Sequence, residues 1–329
     1  MTRLILTGLS GLSLLYSVRA DAVIPFSFRF VWGSLPSPAK LATYLAPRSD
    51  KHGPGKHWSD HGGKWLGDTK DRRDLGLVEF CQDCETIELW FDPSPNDQMQ
   101  LVWLLDYFRS YPEIVARLKL RIVDFDLVVA SGEELDRWKV RGFDVTAGEL
   151  ETASLTWQAY RATTPEASFD LLGTDLSALP LLRSALFDLL QQLPASTTGL
   201  GLTEMRLLEL IARGYSLTNA LFYLRGLGQR RVFNDTEIGY LLEGLARGPR
   251  PAIAGLDDVL RTLDAGGRYE AFRRSDLSLT EFGKAIVAHK EDFSLHNPID
   301  RWWGGTHLTN DCLWRWSPTL MKPQGGGEP

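Results

Sequence analysis

The sequence has few cysteines and no long apolar run. Its three cysteines, among 329 residues, show no regular framework of spacings. This predicts a reducing compartment, the cytoplasm, because disulfide frameworks belong to oxidising ones. No apolar run reaches the roughly 20 residues of a membrane-spanning helix. A membrane partner is therefore not expected.

Excess positive charge is also absent. The net charge of -6 argues against a protein that holds a polyanion by bulk charge, although a local basic surface would be compatible with it. With 43% hydrophobic and 24% charged residues, the composition is that of a soluble globular protein. A chain of this length predicts two domains.

The N-terminus allows two interpretations. A basic residue, an apolar stretch and a small-residue site at 20–22 have the order of a signal peptide. The alternative is a buried strand at 4–6, a turn at Gly8-x-x-Gly11, and a short helix leading to a second strand from residue 22. The two glycines interrupt the apolar run and an α/β rhythm follows them, which favours the second interpretation.

Strands and helices alternate through residues 1–130. Alternating apolar residues predict that the second strand continues to Phe30, and further strands are predicted over 86–91 and 120–129. Asn96 or Asp97 is expected to cap an apolar helix that follows the 86–91 strand. This alternation predicts a Rossmann-like α/β domain with a mainly parallel sheet. Residues 49–74, rich in Gly, Lys, Asp and His, predict an exposed loop.

Helical patterns dominate the second half. Helices are predicted over 147–161 and 179–193, within a helical connector that spans 131–198. Three more begin near Thr203, Ser216 and Asn234, and the last shows a capping box with Glu237. A short strand over 277–279 and a helix over 280–290 follow. This order predicts a mainly α, winged-helix-like domain over 199–292.

The C-terminal segment is rich in tryptophan. Residues 297–316 hold four of the eleven tryptophans, and chain ends are usually polar and loose. We therefore expect residues 293–329 to form a docked Trp-rich cap followed by a disordered tail. Thr309, Asn310 and Asp311 predict the turn of a hairpin in this cap.

Four segments carry a resemblance to a known family. They are LWFD with Asn96-Asp97-Gln98 and the helix after it, PASTTGLGLTEMRLLEL, SLTEFGKAIV, and NPIDRWWGGTHL followed by WRW. In these segments the chain resembles a bacterial family known as domain of unknown function 1835, over most of its length. The resemblance implies an α/β N-terminal half and a helical C-terminal half, and it implies no particular activity.

The chain also departs from that family. Relatives lead from the first strand into an Asn-Gly-Asp-Ser type turn, and from the second into Trp-Arg-Asp followed by His-Glu-Gly. Residues 7–10 read Thr-Gly-Leu-Ser and residues 28–33 read Phe-Arg-Phe-Val-Trp-Gly. Apolar residues thus replace most of the acidic ones, and a site that relatives build there would be partly lost.

Two features raise the question of a cofactor. The Gly8-x-x-Gly11 turn could present N–H groups to a nucleotide phosphate, but the three-glycine fingerprint is absent, which favours a packing turn. Two histidines and two cysteines match the ligand set of a structural zinc: His57, His61, Cys81 and Cys84. Buried cysteines are more often simple core residues. No cofactor is therefore expected, with zinc as the alternative.

Polar side chains at two places predict a candidate pocket. The first group follows the 86–91 strand, at the carboxyl end where open α/β sheets bind ligands, and the second lies in the cap. The pocket residues are Asp92, Asn96, Asp97, Asn297, Asp300, Arg301, His307 and Arg315. In the bland alternative, the first group caps a helix and the second locks the cap with a buried ion pair.

Two hypotheses about function follow. The first is a non-enzymatic interaction or regulatory protein, binding protein or DNA through its winged-helix-like half. The third helix of that half carries three acidic residues, Asp235, Glu237 and Glu243, but only one basic residue, Arg247. This balance favours a protein partner over DNA. A local basic patch could still form from Arg225, Arg230, Arg231, Arg273 and Arg274.

The second hypothesis is a metal- or nucleotide-dependent enzyme that uses the candidate pocket. Asp92 or Asp97 would be the metal ligand or base, and Arg301 would clamp an anion. His307 would act as acid or base. Whether the chain is an enzyme is left open by the sequence.

Overall fold

The chain divides into two compact units. The computed structural model describes residues 2–128, 130, 134–135, 140–223, 231–262 and 265–323. Unit 1 comprises Met1–Phe30, Leu35–Arg161 and Asp170–Leu186, and unit 2 comprises Val31–Ser34, Ala162–Phe169 and Phe187–Pro329. The finer division at residues 130, 198 and 292 stays a prediction, and the tail over 324–329 lies outside the described residues.

Unit 1 contains a six-stranded, mostly parallel sheet. Its strands are β1 (Arg3–Gly8), β2 (Ala22–Phe26), β3 (Lys64–Trp65), β4 (Thr86–Phe91), β5 (Leu118–Ile122) and β6 (Gly142–Asp144). They lie in the order β3-β2-β1-β4-β5-β6. The four inner strands are parallel, and the short edge strands β3 and β6 are antiparallel to their neighbours. The predicted α/β class and mainly parallel sheet are confirmed.

The helices occur throughout the chain. They are α1 (Leu14–Ser17), α2 (Pro38–Leu45), α3 (Leu77–Gln82), α4 (Pro95–Phe108), α5 (Pro112–Val115), α6 (Ala147–Tyr160), α7 (Glu166–Asp170), α8 (Leu182–Leu190), α9 (Leu202–Ala212), α10 (Thr218–Tyr223), α11 (Asp235–Arg247), α12 (Ala265–Arg274) and α13 (Glu281–Val287). A 3-10 helix over Leu9–Ser13 also joins β1 to α1. The strand-turn-helix-strand interpretation of the first 26 residues is thus the one that the structure shows.

The two faces of the sheet are covered by different elements. Ile5, Val23 and Trp90 form one hydrophobic cluster with Leu14 of α1 and Leu127. The other face is covered by α4, which packs on β1, β4 and α6. Because both the sheet and α6 enclose α4, its first eleven residues are all buried. This explains why its sequence is apolar on nearly every side.

The strand predicted to reach Phe30 ends instead at Phe26. The backbone beyond it bonds to side chains rather than to a neighbouring strand. Asn96 Nδ2 donates to the Phe28 carbonyl at 3.1 Å, and Phe30 N–H donates to Asn96 Oδ1 at 2.9 Å. The alternating phenylalanines still point inward, where Phe28 packs edge-on against Trp103 at 5.3 Å. The prediction was wrong because the alternating phenylalanines pack into an aromatic cluster and do not continue the strand.

Three other boundaries in unit 1 differ from prediction. Helix α4 begins at Pro95 after Ser94, so Asn96 and Asp97 lie in its first turn and do not cap it. Strand β5 ends at Ile122 rather than near residue 129, and Val129 itself lies outside the described residues. The 49–74 segment is not wholly exposed, because Trp58 is buried against Phe80 at 5.2 Å.

Unit 2 contains α9 to α11 and a small antiparallel pair. This pair joins β7 (Ile253–Ala254) to β8 (Ser278–Leu279), with α12 between them and α13 after them. The capping box of Asn234 and Glu237 at the start of α11 is confirmed. Helix α9 is capped at Gly201, not Thr203, because the Glu204 side chain accepts the Gly201 N–H at 2.8 Å.

The C-terminal cap is a hairpin, but its turn differs from the predicted one. Strands β9 (Asp300–Trp303) and β10 (Thr306–Thr309) pair around Gly304-Gly305. Gly304 has φ = 54°, a conformation that favours glycine and suits a two-residue hairpin loop. Residues 309–312 do form the predicted turn, since Cys312 N–H donates to the Thr309 carbonyl at 3.1 Å and the two residues make an isolated antiparallel bridge. The segment after this turn does not form the second arm of the hairpin, because β11 (Arg315–Trp316) pairs with β12 (Leu320–Met321).

Candidate functional site

The first group of candidate residues lies at the carboxyl end of the sheet in unit 1. Strand β1 stands between β2 and β4, so the connections from successive parallel strands leave on opposite sides. Open α/β sheets bind ligands at such a switch point. Ser10 follows β1 there, Asp92 follows β4, and Asp97 lies in the first turn of α4.

Asp97 is buried at this point, with 3% of its surface exposed. The Ser10 hydroxyl donates a hydrogen bond to Asp97 Oδ2. Burial and the neighbouring Asp92 carboxyl raise the pKa of Asp97 well above its ordinary value. Asp97 is therefore a candidate proton-holding group, and Ser10, which the sequence did not single out, is its partner.

Asp92 supports the turn that leads into α4. Ser94 N–H donates to Asp92 Oδ1 at 2.8 Å, and Gln98 Nε2 donates to the Asp92 carbonyl at 2.7 Å. Burial raises the pKa of the Asp92 carboxyl although the bonds from Ser94 lower it, and the nearby Asp126 charge raises it further. These contacts match the turn-forming alternative proposed for this residue.

The Gly8-x-x-Gly11 turn is packed too tightly for a phosphate. A Cβ atom at Gly8 would overlap the Asp97 carboxyl, and one at Gly11 would overlap the Thr7 hydroxyl. An approaching phosphate would meet an acidic side chain where a nucleotide site presents free N–H groups. The geometry therefore favours the packing turn.

Asp97 gives a first testable prediction. The unfolded carboxyl titrates near pH 4, and the folded one at a higher pH. The contribution of Asp97 to stability is therefore complete below pH 4 and is lost as pH rises towards the folded pKa. Asp97→Asn removes this loss, so we expect it to melt a few degrees higher than wild type at pH 8, roughly 1 kcal/mol.

Thermal melting of both proteins from pH 4 to pH 8 measures this difference. Asp106→Asn, in the last turn of the same helix, is the control for the loss of a carboxyl group from α4. A difference between Asp97→Asn and wild type that stays constant from pH 4 to pH 8 would contradict a raised pKa.

The second group of candidate residues lies in unit 2, and three of its members lock the cap. Arg301 Nη1 lies 2.7 Å from Glu204 Oε2. Arg315 Nη1 lies 2.9 Å from an Asp292 carboxylate oxygen. Asn297 Nδ2 donates to the Arg250 carbonyl at 3.0 Å. Asn297 is buried and the two arginines are half-buried, and all three side chains have partners within unit 2.

The other two candidate residues of the cap face solvent. His307 Nε2 lies 2.7 Å from Asp300 Oδ1, and the His307 ring stacks on Trp302 with centroids 4.6 Å apart. The hairpin thus has a buried face and an exposed one, as period two requires. A pocket that unites this group of unit 2 with Asp92 and Asp97 of unit 1 stays a prediction.

The four residues considered for zinc do not form a metal site. His57 is buried, and its ring nitrogens contact the Ala46 carbonyl at 3.0 Å and the Ser59 hydroxyl at 2.8 Å. Burial raises the pKa of the Cys81 thiol, which disfavours the thiolate that zinc requires. His61 and Cys84 complete the set of four candidate zinc ligands. Within the described ranges, no three His, Cys, Asp or Glu side chains are placed to hold a metal.

An aromatic cluster on α11 was not identified from the sequence. Trp32 stacks on Tyr240 with centroids 5.9 Å apart and meets Phe233 edge-on at 5.5 Å. Tyr240 stays 41% exposed. No local pattern indicates this cluster, because some two hundred residues separate Trp32 from its partners.

The charged residues around α11 pair with one another. Arg231 forms an ion pair with Asp235, and Arg247 Nη1 lies 3.1 Å from Asp258 Oδ1. Of the arginines considered for a basic patch, Arg225 and Arg230 lie outside the described residues. Arg273 pairs with Glu270 at 3.3 Å. Arg274 is exposed. Because Arg231 and Arg273 are both paired, the described part of this surface is not strongly basic.

Comparisons with known proteins give no family. No known family model matches the sequence, and no curated protein matches it significantly. The resemblance to domain of unknown function 1835 therefore stays a prediction. In the ranges that the structure describes, no helix has both the length and the apolar character needed to cross a bilayer.

Proposed function

We propose that the protein is a non-enzymatic interaction or regulatory protein of the cytoplasm, and that unit 2 contacts a protein partner through the surface of α11. The aromatic cluster of Trp32, Phe233 and Tyr240, in which Tyr240 is exposed and the other two are half-buried, carries this proposal. Tryptophan and tyrosine are enriched among the residues that dominate protein–protein binding energy. The three free cysteines support a reducing compartment.

A winged-helix-like arrangement of unit 2 is part of the proposal. Helices α9 to α11 precede the β7–β8 pair, and an isolated antiparallel bridge between Leu217 and Asp276 extends that small sheet. The connection between β7 and β8 differs from the short loop of a typical wing, since it contains α12. In such a domain, α11 would be the helix that faces the partner.

The charges on this surface favour protein over DNA as the partner. Arg231 and Arg247 are both neutralised by aspartates, so they offer little to a phosphate backbone. Binding to DNA depends on uncompensated lysines and arginines. An aromatic surface whose neighbouring charges are paired suits instead a protein segment with apolar or basic side chains, through stacking and cation–π contacts.

The alternative, a metal- or nucleotide-dependent enzyme, has weaker support. Arg301, proposed as an anion clamp, is bound to Glu204. Asp92 is engaged by Ser94, and the Gly8 turn is closed by Asp97. The hydrogen bond between Ser10 and the buried Asp97 carboxyl favours this alternative.

Photo-crosslinking tests the interaction proposal. Thr236 is exposed one helical turn before Tyr240, so a photoreactive amino acid at position 236 would touch a partner without disturbing the cluster. We expect covalent protein adducts in cells. Adding Tyr240→Ala or Trp32→Ala should lower their yield about tenfold, since an interface hot spot contributes roughly 2 kcal/mol or more.

A photoreactive residue at position 155 is the matched control, because Leu155 is 52% exposed on α6 in unit 1. Adducts of equal yield at both positions would indicate non-specific capture. A gel shift with DNA fragments at low salt separates the two versions of the hypothesis. Adducts that survive Tyr240→Ala, together with a retarded DNA band, would contradict the proposed protein contact.

A further inference from the structure

An unassigned cavity lies at the amino-terminal end of the sheet in unit 1. Its volume is about 550 Å³, within the range of roughly 300–1,000 Å³ that small-molecule sites occupy. It is lined by the first residues of β1 and β4, by residues 19–21 before β2, and by β3. It is therefore separate from the switch point, which lies at the opposite end of the same strands.

Hydrogen bonds fix the walls of this cavity. Arg3 N–H donates to Asp21 Oδ2 at 2.8 Å, and Asp21 N–H donates to the Arg3 carbonyl at 2.9 Å. Leu66 N–H donates to the Asp21 carbonyl at 2.8 Å. The 19–21 segment is thus tied to both β1 and the end of β3. A pocket whose walls are already ordered loses little conformational entropy when it binds a ligand.

The acidic groups of the cavity are already occupied. Glu88 accepts hydrogen bonds from Arg3 at 2.9 Å and from Arg121 at 2.7 Å. Asp21 accepts the Arg3 N–H as above, and Glu85 also has a partner. A cation would therefore have to displace existing contacts before any of these carboxylates could bind it.

Donor capacity, in contrast, remains at two cationic side chains. Lys64 Nζ donates to the Val18 carbonyl at 3.2 Å, which uses one of its three hydrogens. The Arg19 guanidinium has no partner among the residues that the structure describes, and Arg19 is exposed at the cavity. Two cations with free donors, beside carboxylates that already accept hydrogen bonds, suit an anionic group.

We propose that this cavity binds a small anion, the phosphate or carboxylate group of a small molecule, through Arg19 and Lys64. The acidic residues that share the cavity limit the ligand to low charge, because a polyanion would meet Asp21 and Glu85. Leu66 and Ala20 provide the apolar wall against which the body of such a molecule would pack.

Titration of the full chain with inorganic phosphate and, separately, with acetate tests this proposal. The readout is thermal stabilisation at constant ionic strength, since binding to the folded state raises Tm in a saturable way. We expect one of the two anions to give saturable stabilisation, and the preferred one identifies the ligand group. Charge-assisted hydrogen bonds are strong, so Arg19→Ala and Lys64→Ala should each weaken binding about tenfold or more.

Lys40→Ala is the matched control, because Lys40 is an exposed cation on α2 that does not line the cavity. It should leave the anion affinity within about twofold of wild type. Circular dichroism of each variant checks that it folds, and Arg19→Lys should retain part of the affinity. Lack of saturable stabilisation by either anion, or an equal loss in Lys40→Ala, would overturn the proposal.

Discussion

Replacing Glu88 by glutamine should destabilise unit 1 by about 3 kcal/mol, since removal of one member of a buried ion pair leaves its partners uncompensated. Glu88 lies in β4 with 3% of its surface exposed. Arg3 of β1 binds it from one side and Arg121 of β5 from the other, each through two nitrogens. Trp90 Nε1 adds a fifth hydrogen bond at 2.7 Å. One carboxylate therefore joins three neighbouring strands.

The same carboxylate should make stability depend on pH. Burial alone would raise the pKa of Glu88, but the hydrogen bonds from Arg121, Arg3 and Trp90 outweigh it and lower the pKa to about 2. Because the folded pKa is depressed, this contribution is complete above about pH 4.5 and is lost as pH falls towards 2. Both arginines are partly exposed, so we expect roughly 2 kcal/mol from this effect after solvent screening.

Hydrogen exchange in peptides that cover β1 and β4, measured between pH 7 and pH 3, reports on unit 1 specifically. After correction for intrinsic exchange, wild type should lose protection as pH falls below 4.5. The Glu88→Gln variant should show lower protection than wild type at pH 7 and a smaller change in protection as pH falls. Glu151→Gln, an exposed carboxylate on α6, is the control and should match wild type. Equal protection in Glu88→Gln and wild type at pH 7 would contradict the role assigned to Glu88.

Local signals in the sequence predicted much of the fold. Strand β4 was predicted with its observed bounds, because an apolar run between Glu85 and Pro93 leaves little choice. The capping box of Asn234 and Glu237 was also found, since both partners lie within one helical turn. The predicted ends of helices and strands were wrong where side chains that are distant in the sequence determine them. The end of β2 depends on Asn96, and the sequence alone does not bring these residues together.

The candidate site was harder to predict for the same reason. Asp92 and Asp97 were singled out because the carboxyl ends of parallel strands share one edge of a sheet. Ser10, the partner of Asp97, was missed because this contact joins residues 87 positions apart. Glu88 left a detectable signal, a single carboxylate within an otherwise apolar buried strand. Such a residue is rarely buried without a cation beside it, and the neighbouring strands each supply an arginine.

Replacing Arg301 by alanine should destabilise unit 2 by about 3 kcal/mol, because it leaves the Glu204 carboxylate buried without its cation. Arg301 lies on the buried face of the cap hairpin, opposite Leu308. Glu204 also accepts the Gly201 N–H that begins α9, so one carboxylate holds both a helix start and the cap. We expect the melting transition of unit 2 to fall by roughly 5–10 °C.

A double-mutant cycle with Glu204→Gln measures the pair itself, and the coupling should exceed about 1 kcal/mol for groups in direct contact. His307→Ala is the matched control, since it removes a side chain from the exposed face of the same hairpin and should cost less than about 1 kcal/mol. An Arg301→Ala variant as stable as wild type would contradict the locking role. It would then favour the enzyme alternative, in which Arg301 binds an anion. If Arg301→Ala melts at a lower temperature and its effect is fully coupled to that of Glu204→Gln, Arg301 has a structural role in the cap. A side chain that neutralises a buried carboxylate in the folded protein is not available to a substrate.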